Sequence, residues 1–130
     1  DWPAVLEVAV ENAEKAGVAS RLHLVPGDAF SVDFGSGYDV ALITNFLHHF
    51  DYATCVDFLK KVRAAVKPGG VAVTLEFVPN DDRISPRLEA QFALQMLGDT
   101  PGGDAYTFRE LESMFRDAGF PHSTLHDILM

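Results

Sequence analysis

The run Val40-Ala41-Leu42-Ile43, followed by Asn45, His48, His49 and Asp51, constrains this chain more than any other feature. Four consecutive apolar residues between turn signals predict a strand over Tyr38 to Thr44. A strand with one wet face would alternate, so this one reads as buried on both faces of a parallel sheet. The polar cluster falls where that strand must stop. In open α/β sheets ligands bind beyond the carboxyl ends of the strands, which makes Asn45 to Asp51 the place to expect chemistry.

The remaining elements follow from periodicity and punctuation. Pro3 to Ala16 reads as a helix: Pro3 suits its first turn, Val5, Leu6, Ala9, Val10 and Ala13 share a face, and Gly17 ends it. Arg21 to Val25 alternates and predicts a strand broken by Pro26-Gly27-Asp28, and Ser31 to Gly37 is a loop. Ala53 to Val66 is an amphipathic helix with Val56, Leu59, Val62 and Val66 in phase. Lys60, Lys61, Arg63 and Lys67 gather at its end, where the helix dipole is negative. Pro68-Gly69-Gly70 should stop that helix before a β-rich run over Val71 to Val78. Pro86 to Leu97 is expected to be helical and Gly98 to Gly103 a flexible connector. Thr107 and Glu110 have capping-box spacing for a helix to Ala118, and Ser123 to Leu129 is a closing strand.

This order of helix, strand, strand, helix, strand, two helices and strand predicts an α/β fold with a mostly parallel, doubly wound sheet. The sheet is incomplete as read. Parallel neighbours need a crossover of about ten residues or more, usually helical, and the first two strands have no helix between them. Two central strands are missing, or their places are filled from elsewhere.

Composition narrows the function classes. The 130 residues are 48% hydrophobic, enough for one compact domain. Ten basic against 19 acidic residues give a net charge of −9, which argues against nucleic acid and anionic membranes as partners, since both present phosphates. The single Cys55 excludes an intrachain disulfide and suits a reducing cytosol, so a cytoplasmic protein is expected. The opening Asp1-Trp2-Pro3 lacks both a signal peptide and an initiator Met, as expected of a trimmed or partial chain. No metal is expected, because adjacent histidines on a regular element do not readily face one ion and no further ligand has suitable spacing.

Five motifs in order, Asp1-Trp2-Pro3-Ala4-Val5, Gly27-Asp28-Ala29-Phe30, Asn45 to Asp51, Lys67-Pro68-Gly69-Gly70 and Glu76-Phe77-Val78-Pro79, give the chain a family resemblance. It resembles class I S-adenosylmethionine-dependent methyltransferases, in particular the small-molecule O-methyltransferases of bacterial secondary metabolism and their plant relatives. The resemblance spans essentially the whole chain. It implies a Rossmann-like sheet of which this chain, residues 1–130, is the later part of a catalytic domain. The first strands and the Gly-x-Gly-x-Gly cofactor loop are not in this sequence. It also implies transfer of a methyl group from S-adenosylmethionine to a hydroxyl of a small metabolite, and a homo-oligomer such as a dimer. The alternative is a non-catalytic remnant or oligomerising relative lacking the glycine loop. A nicotinamide-dinucleotide enzyme fits less well, since its glycine fingerprint is absent too.

The resemblance also implies roles for residues. Asp1 would accept both ribose hydroxyls of the cofactor, since a carboxylate offers one oxygen to each, and Trp2 would wall the adenine. Asp28 would accept the adenine amino group, with the Ala29 backbone against the ring. Asn45 would face the methionine portion. His48 lies in register with the general base of a Leu-His-Asp-Trp sequence, and an imidazole titrating near about 6.5 suits that task. His49 could share the role. Glu76 matches an acid that orients the histidine, and Phe92, Leu94, Met96 and Leu97 fall in the acceptor-lining segment. Local structure offers rival readings: Asp1 as a helix cap, Asp28 as a turn that bonds its own backbone, Asn45 as a cap, and Glu76 as an edge-strand charge facing water.

Overall fold

The computed structural model describes residues 1–128, which fall into two compact units, Asp1–Gly35 and the residues from Ser36 onward. In the first unit, helix α1 spans Pro3–Lys15 with Trp2 at its N-cap position and Ala13 as its buried residue. A short 3-10 turn follows at Ala19–Arg21. The strand expected over Arg21 to Val25 is not formed. A strand is defined by its ladder, and this segment pairs at a single point. The Asp1 amino group donates to the Val25 carbonyl (3.1 Å) and Gly27 N–H donates to the Asp1 carbonyl (2.9 Å). Together these are the two bonds of one parallel bridge.

The second unit carries strand β1 (Tyr38–Thr44), helix α2 (Tyr52–Ala65), strand β2 (Val66–Leu75), helix α3 (Arg87–Asp99) and helix α4 (Phe108–Asp117). β1 and β2 pair in parallel, in register from Val40 with Val71 to Thr44 with Leu75, and α2 is the crossover such a pair needs. Asp51 caps α2, accepting from Thr54 N–H at 2.9 Å. This architecture is an incomplete α/β arrangement with a parallel pair, as the element order predicts, and of the Rossmann-like kind that the resemblance implies.

Three details depart from expectation. Pro68-Gly69-Gly70 does not lie between helix and strand. Helix α2 passes directly into β2 at Val66, and the three residues form a bulge within the strand, between the Tyr38–Val66 and Val40–Val71 pairs. Gly70 is required there: a Cβ would sit 2.8 Å from the Asp39 carbonyl oxygen and 2.6 Å from Val66 Cγ1. Second, β1 is not buried on both faces; Val40 is 55% and Leu42 70% exposed, because a sheet of two strands covers little of either. Third, the expected closing strand is absent from Ser123 to Ile128, and its last residue, Leu129, lies outside the described residues.

The core of this unit lies where α2 meets α4 and β2. Leu47, Cys55, Leu59 and Met114 are fully enclosed, with Val56, Phe58, Val62, Leu111, Phe115 and Phe120 around them. Apart from Leu47 in the preceding turn and Phe120 after α4, these are the in-phase positions of the two amphipathic helices. No helix among the described residues is long and apolar enough to cross a membrane.

The start of α4 is the most completely capped helix end. Thr107 Oγ1 accepts from Glu110 N–H, and Glu110 Oε2 accepts from Thr107 N–H at 2.8 Å, closing a capping box. Arg83 forks onto Glu110 at 2.6 and 2.7 Å and reaches Asp104 at 2.8 Å. Thr107→Ala should therefore lower stability by about 1 kcal/mol, read as a shifted midpoint in urea unfolding with an unchanged slope.

Candidate functional site

The site is built on the turn between β1 and α2. Asn45 continues the ladder, donating to the Leu75 carbonyl at 2.9 Å, and then turns the chain with φ at 49°. Asn tolerates that left-handed conformation better than most residues, which explains its presence without any capping role. The N-cap position of the following 3-10 turn, Leu47–His49, belongs to Phe46, and that of α2 to Asp51.

Glu76 governs this turn. It stands one residue beyond the end of β2, and its side chain is only 4% exposed, so it is not an edge charge facing water. Oε1 accepts from the backbone N–H groups of Phe46 (3.1 Å) and Leu47 (2.9 Å), and Oε2 lies 2.5 Å from His48 Nδ1. A buried carboxylate needs such partners, because an unpaired one costs several kcal/mol or so. His48 is itself buried. Its ring meets Phe92 edge-on at 4.8 Å, and Phe92 stacks on Phe77 at 4.2 Å. With Nδ1 engaged by Glu76, Nε2 is the nitrogen left for a ligand. His49 is exposed beside it, ring centroids 4.3 Å apart, and does not share the Glu76 contact.

The opposite side of the turn is fixed by core contacts. The Cys55 thiol donates to the Leu47 carbonyl at 3.2 Å, and Tyr106 Oη donates to the Phe50 carbonyl at 2.6 Å. Burial, reinforced by the negative charges of Glu76 and Asp51, pushes the Cys55 thiol up to about 12, so it stays protonated. The segment Gly98 to Gly103 is not a free connector. Its first two residues finish α3, Thr100 Oγ1 bonds both Met96 O (2.8 Å) and Gly103 N–H (2.7 Å), and a Cβ on Gly103 would lie 2.1 Å from the His48 carbonyl oxygen.

His48 and Glu76 open onto a cleft of about 530 Å³ whose walls include Asn45, Phe77, Glu89, Phe92 and the segment from Leu125 to Ile128. A second depression of about 430 Å³ lies on the other side of α3, lined by Asp51, Leu94, Leu97, Gly103 and Tyr106. It contains no residue of the His48–Glu76 pair, so the larger cleft is the candidate site. Of the four apolar residues expected to line the acceptor pocket, Phe92 is in the cleft. Leu94 and Leu97 line the second depression, and Met96 is core. Glu89, which pattern reading passed over, belongs to the cleft.

The first unit holds the other expected residues. The Asp1 carboxylate accepts from Trp2 N–H at 2.7 Å, outside α1, so it does not cap the helix. Asp28 Oδ1 accepts from Phe30 N–H at 3.0 Å, forming the self-bonding turn that was the rival to a ligand role. Ala29 is part of that turn, and Trp2 is 60% exposed. The Asp1–Gly27 backbone bond sets Asp1 beside the residue that precedes Asp28. Each carboxylate spends one oxygen locally and, with about four acceptor positions, keeps capacity for other donors. Those spare acceptor positions suit the hydroxyls of a ribose diol and an adenine amine, both of which donate. Among the described residues no group of His, Cys, Asp and Glu is placed to hold a metal.

The O-methyltransferase domain family matches residues 1–121. The chain belongs to this family. A curated relative, 3-hydroxy-5-methyl-1-naphthoate 3-O-methyltransferase of Streptomyces sahachiroi, is 31% identical over 92% of this chain and 34% of its own length. A Nostoc punctiforme protein solved as a candidate O-methyltransferase is 56% identical, with a TM-score of 0.95 over 97% of this chain and 39% of that one. An O-methyltransferase family 2 protein of Planctomyces limnophilus, solved in complex with apigenin, is 32% identical, with a TM-score of 0.81 over 91% of this chain and 35% of that one. The chain thus spans about a third of the length of these family members, and the cofactor of the family is S-adenosylmethionine.

Because one carboxylate holds two backbone donors and a ring nitrogen, Glu76→Ala should destabilise the protein by about 3 kcal/mol or more, measured by denaturant unfolding. Ala at an exposed acid such as Glu7 should cost far less.

Proposed function

We propose that this chain is the later part of the catalytic domain of a longer O-methyltransferase, with His48 as the general base for a hydroxyl on a small aromatic metabolite. The observation that carries this reading is the 2.5 Å contact between His48 Nδ1 and the buried Glu76 carboxylate at the mouth of the cleft. A carboxylate at Nδ1 fixes the proton there and leaves the Nε2 lone pair facing outward. His48 Nε2 then takes the acceptor hydroxyl's proton, and Glu76 stabilises the imidazolium that results. S-adenosylmethionine supplies an electrophilic methyl group on a sulfonium sulfur. Asp1 and Asp28 are assigned to its ribose and adenine, with Trp2 and Ala29 beside the base and Asn45 toward its methionine portion.

The acceptor class rests on the cleft's walls. Phe77 and Phe92 stack on one another and present flat apolar surface next to His48, which suits a planar ring. The naphthoate named for one relative and the apigenin bound to another are acceptors or ligands of that shape.

Self-association and a cytoplasmic location belong to the same proposal. Self-association is what the family resemblance implies, and Cys55 is a buried free thiol suited to a reducing compartment. Sedimentation of the full-length protein should give a dimer; a monomer would remove that part of the proposal.

In the full-length protein, His48→Gln should slow methyl transfer by about a hundredfold or more while calorimetric affinity for S-adenosylhomocysteine stays unchanged. A loss below about tenfold would remove His48 as the dominant base. Absence of S-adenosylhomocysteine binding by the full-length protein would instead favour a non-catalytic relative.

A further inference from the structure

Glu89 is the third residue of α3, the position where an acid commonly closes a capping box by reaching back to the N-cap backbone N–H. At α4 the equivalent Glu110 does this with Thr107. At α3 it cannot, because the N-cap is Pro86, which has no N–H to offer. The favourable helix dipole explains a charge at this position but not what its oxygens bond to. Glu89 Oε2 is closed off from solvent and has no hydrogen-bond partner among the described residues. It is the sole side-chain oxygen or nitrogen among them in that state. Such an atom is costly, more so when it carries charge, and is normally matched by a donor.

Glu89 also lines the cleft that holds His48, Glu76, Phe77 and Phe92. Of the cleft's three carboxylates, Glu76, Glu89 and Asp127, two are in contrasting states: Glu76 is saturated by protein donors and Glu89 is short of one. Its terminal torsion is broad and roughly two-fold, so rotation about it can turn an oxygen toward an occupant of the cleft.

We propose that Glu89 binds the acceptor, taking a hydrogen bond from a second hydroxyl or amine on the ring whose first hydroxyl is addressed by His48. The acceptor class is thereby narrowed from monohydroxy aromatics to those bearing a second donor. A site that offers a buried acceptor discriminates strongly against an analogue lacking the donor, since the analogue leaves that acceptor unmatched. This inference rests on the cleft being the acceptor site of an O-methyltransferase.

The test is equilibrium binding, so it needs no turnover. Naphthol and the dihydroxynaphthalene isomers are titrated into the full-length protein, its Glu89→Leu variant and its Glu89→Gln variant. At least one isomer should bind the unaltered protein about tenfold or more tightly than naphthol. Glu89→Leu should erase that preference while keeping affinity for naphthol, and Glu89→Gln, a neutral acceptor of the same shape, should retain part of it. Equal binding of every probe, no binding of any, or a preference that survives Glu89→Leu would overturn the assignment. A parallel titration with S-adenosylhomocysteine tests the methyltransferase reading by itself, so failure of either one is told apart from failure of the other.

Discussion

One buried carboxylate organises the functional end of the second unit. Glu76 stands just past β2, yet its oxygens satisfy the first two amides of the turn that follows β1 and the Nδ1 of His48. Two neighbouring strands are thus joined at their carboxyl ends by a side chain as well as by their ladder. The arrangement answers an electrostatic demand: a carboxylate removed from water must find donors, and here the donors belong to the turn that has to be held still. Structural and chemical roles coincide in the same atoms. The contacts that make the charge tolerable also set the orientation of the imidazole.

The turn is gripped from its far side as well. Cys55 from α2 and Tyr106 from the approach to α4 donate to the carbonyls of Leu47 and Phe50, and Gly103 lets the chain pass against the His48 backbone. These groups do not touch the cleft chemistry. They remove the freedom that would let His48 drift, and the proton transfer proposed for it requires such a supported geometry. A planar, apolar wall of stacked Phe rings then leaves polar recognition to a few groups.

Much of this was readable from residue order. The strand over Tyr38 to Thr44, the crossover helix with Val56, Leu59 and Val62 in phase, and the Thr107–Glu110 cap follow from local chemistry, and the structure contains them. The proximity of His48 and Glu76 did not follow from spacing, since residues 28 apart meet only through a parallel pairing; family resemblance supplied it. Burial was misjudged where it depends on neighbours: an apolar run such as Val40 to Ile43 expects cover on two faces, and two strands do not provide it. The segment Arg21 to Val25 fails as a strand for the same reason. Glu89 went unnoticed because an acid in a first helical turn is ordinary by composition; only the proline before it and the closed-off oxygen set it apart.

The bulge in β2 separates two alignments that a regular strand would lock together. Before Lys67 the chain has just left helix α2 and meets β1 at the single Tyr38–Val66 pair; after Gly70 it runs in unbroken register with β1 from Val40–Val71 to Thr44–Leu75, which sets the position of Glu76. Slack in the looped-out residues absorbs any mismatch between the helix's length and the strand's phase. A change in the length of α2 can therefore be taken up before the ladder restarts, while the strand ends that carry Asn45 and Glu76 keep their place.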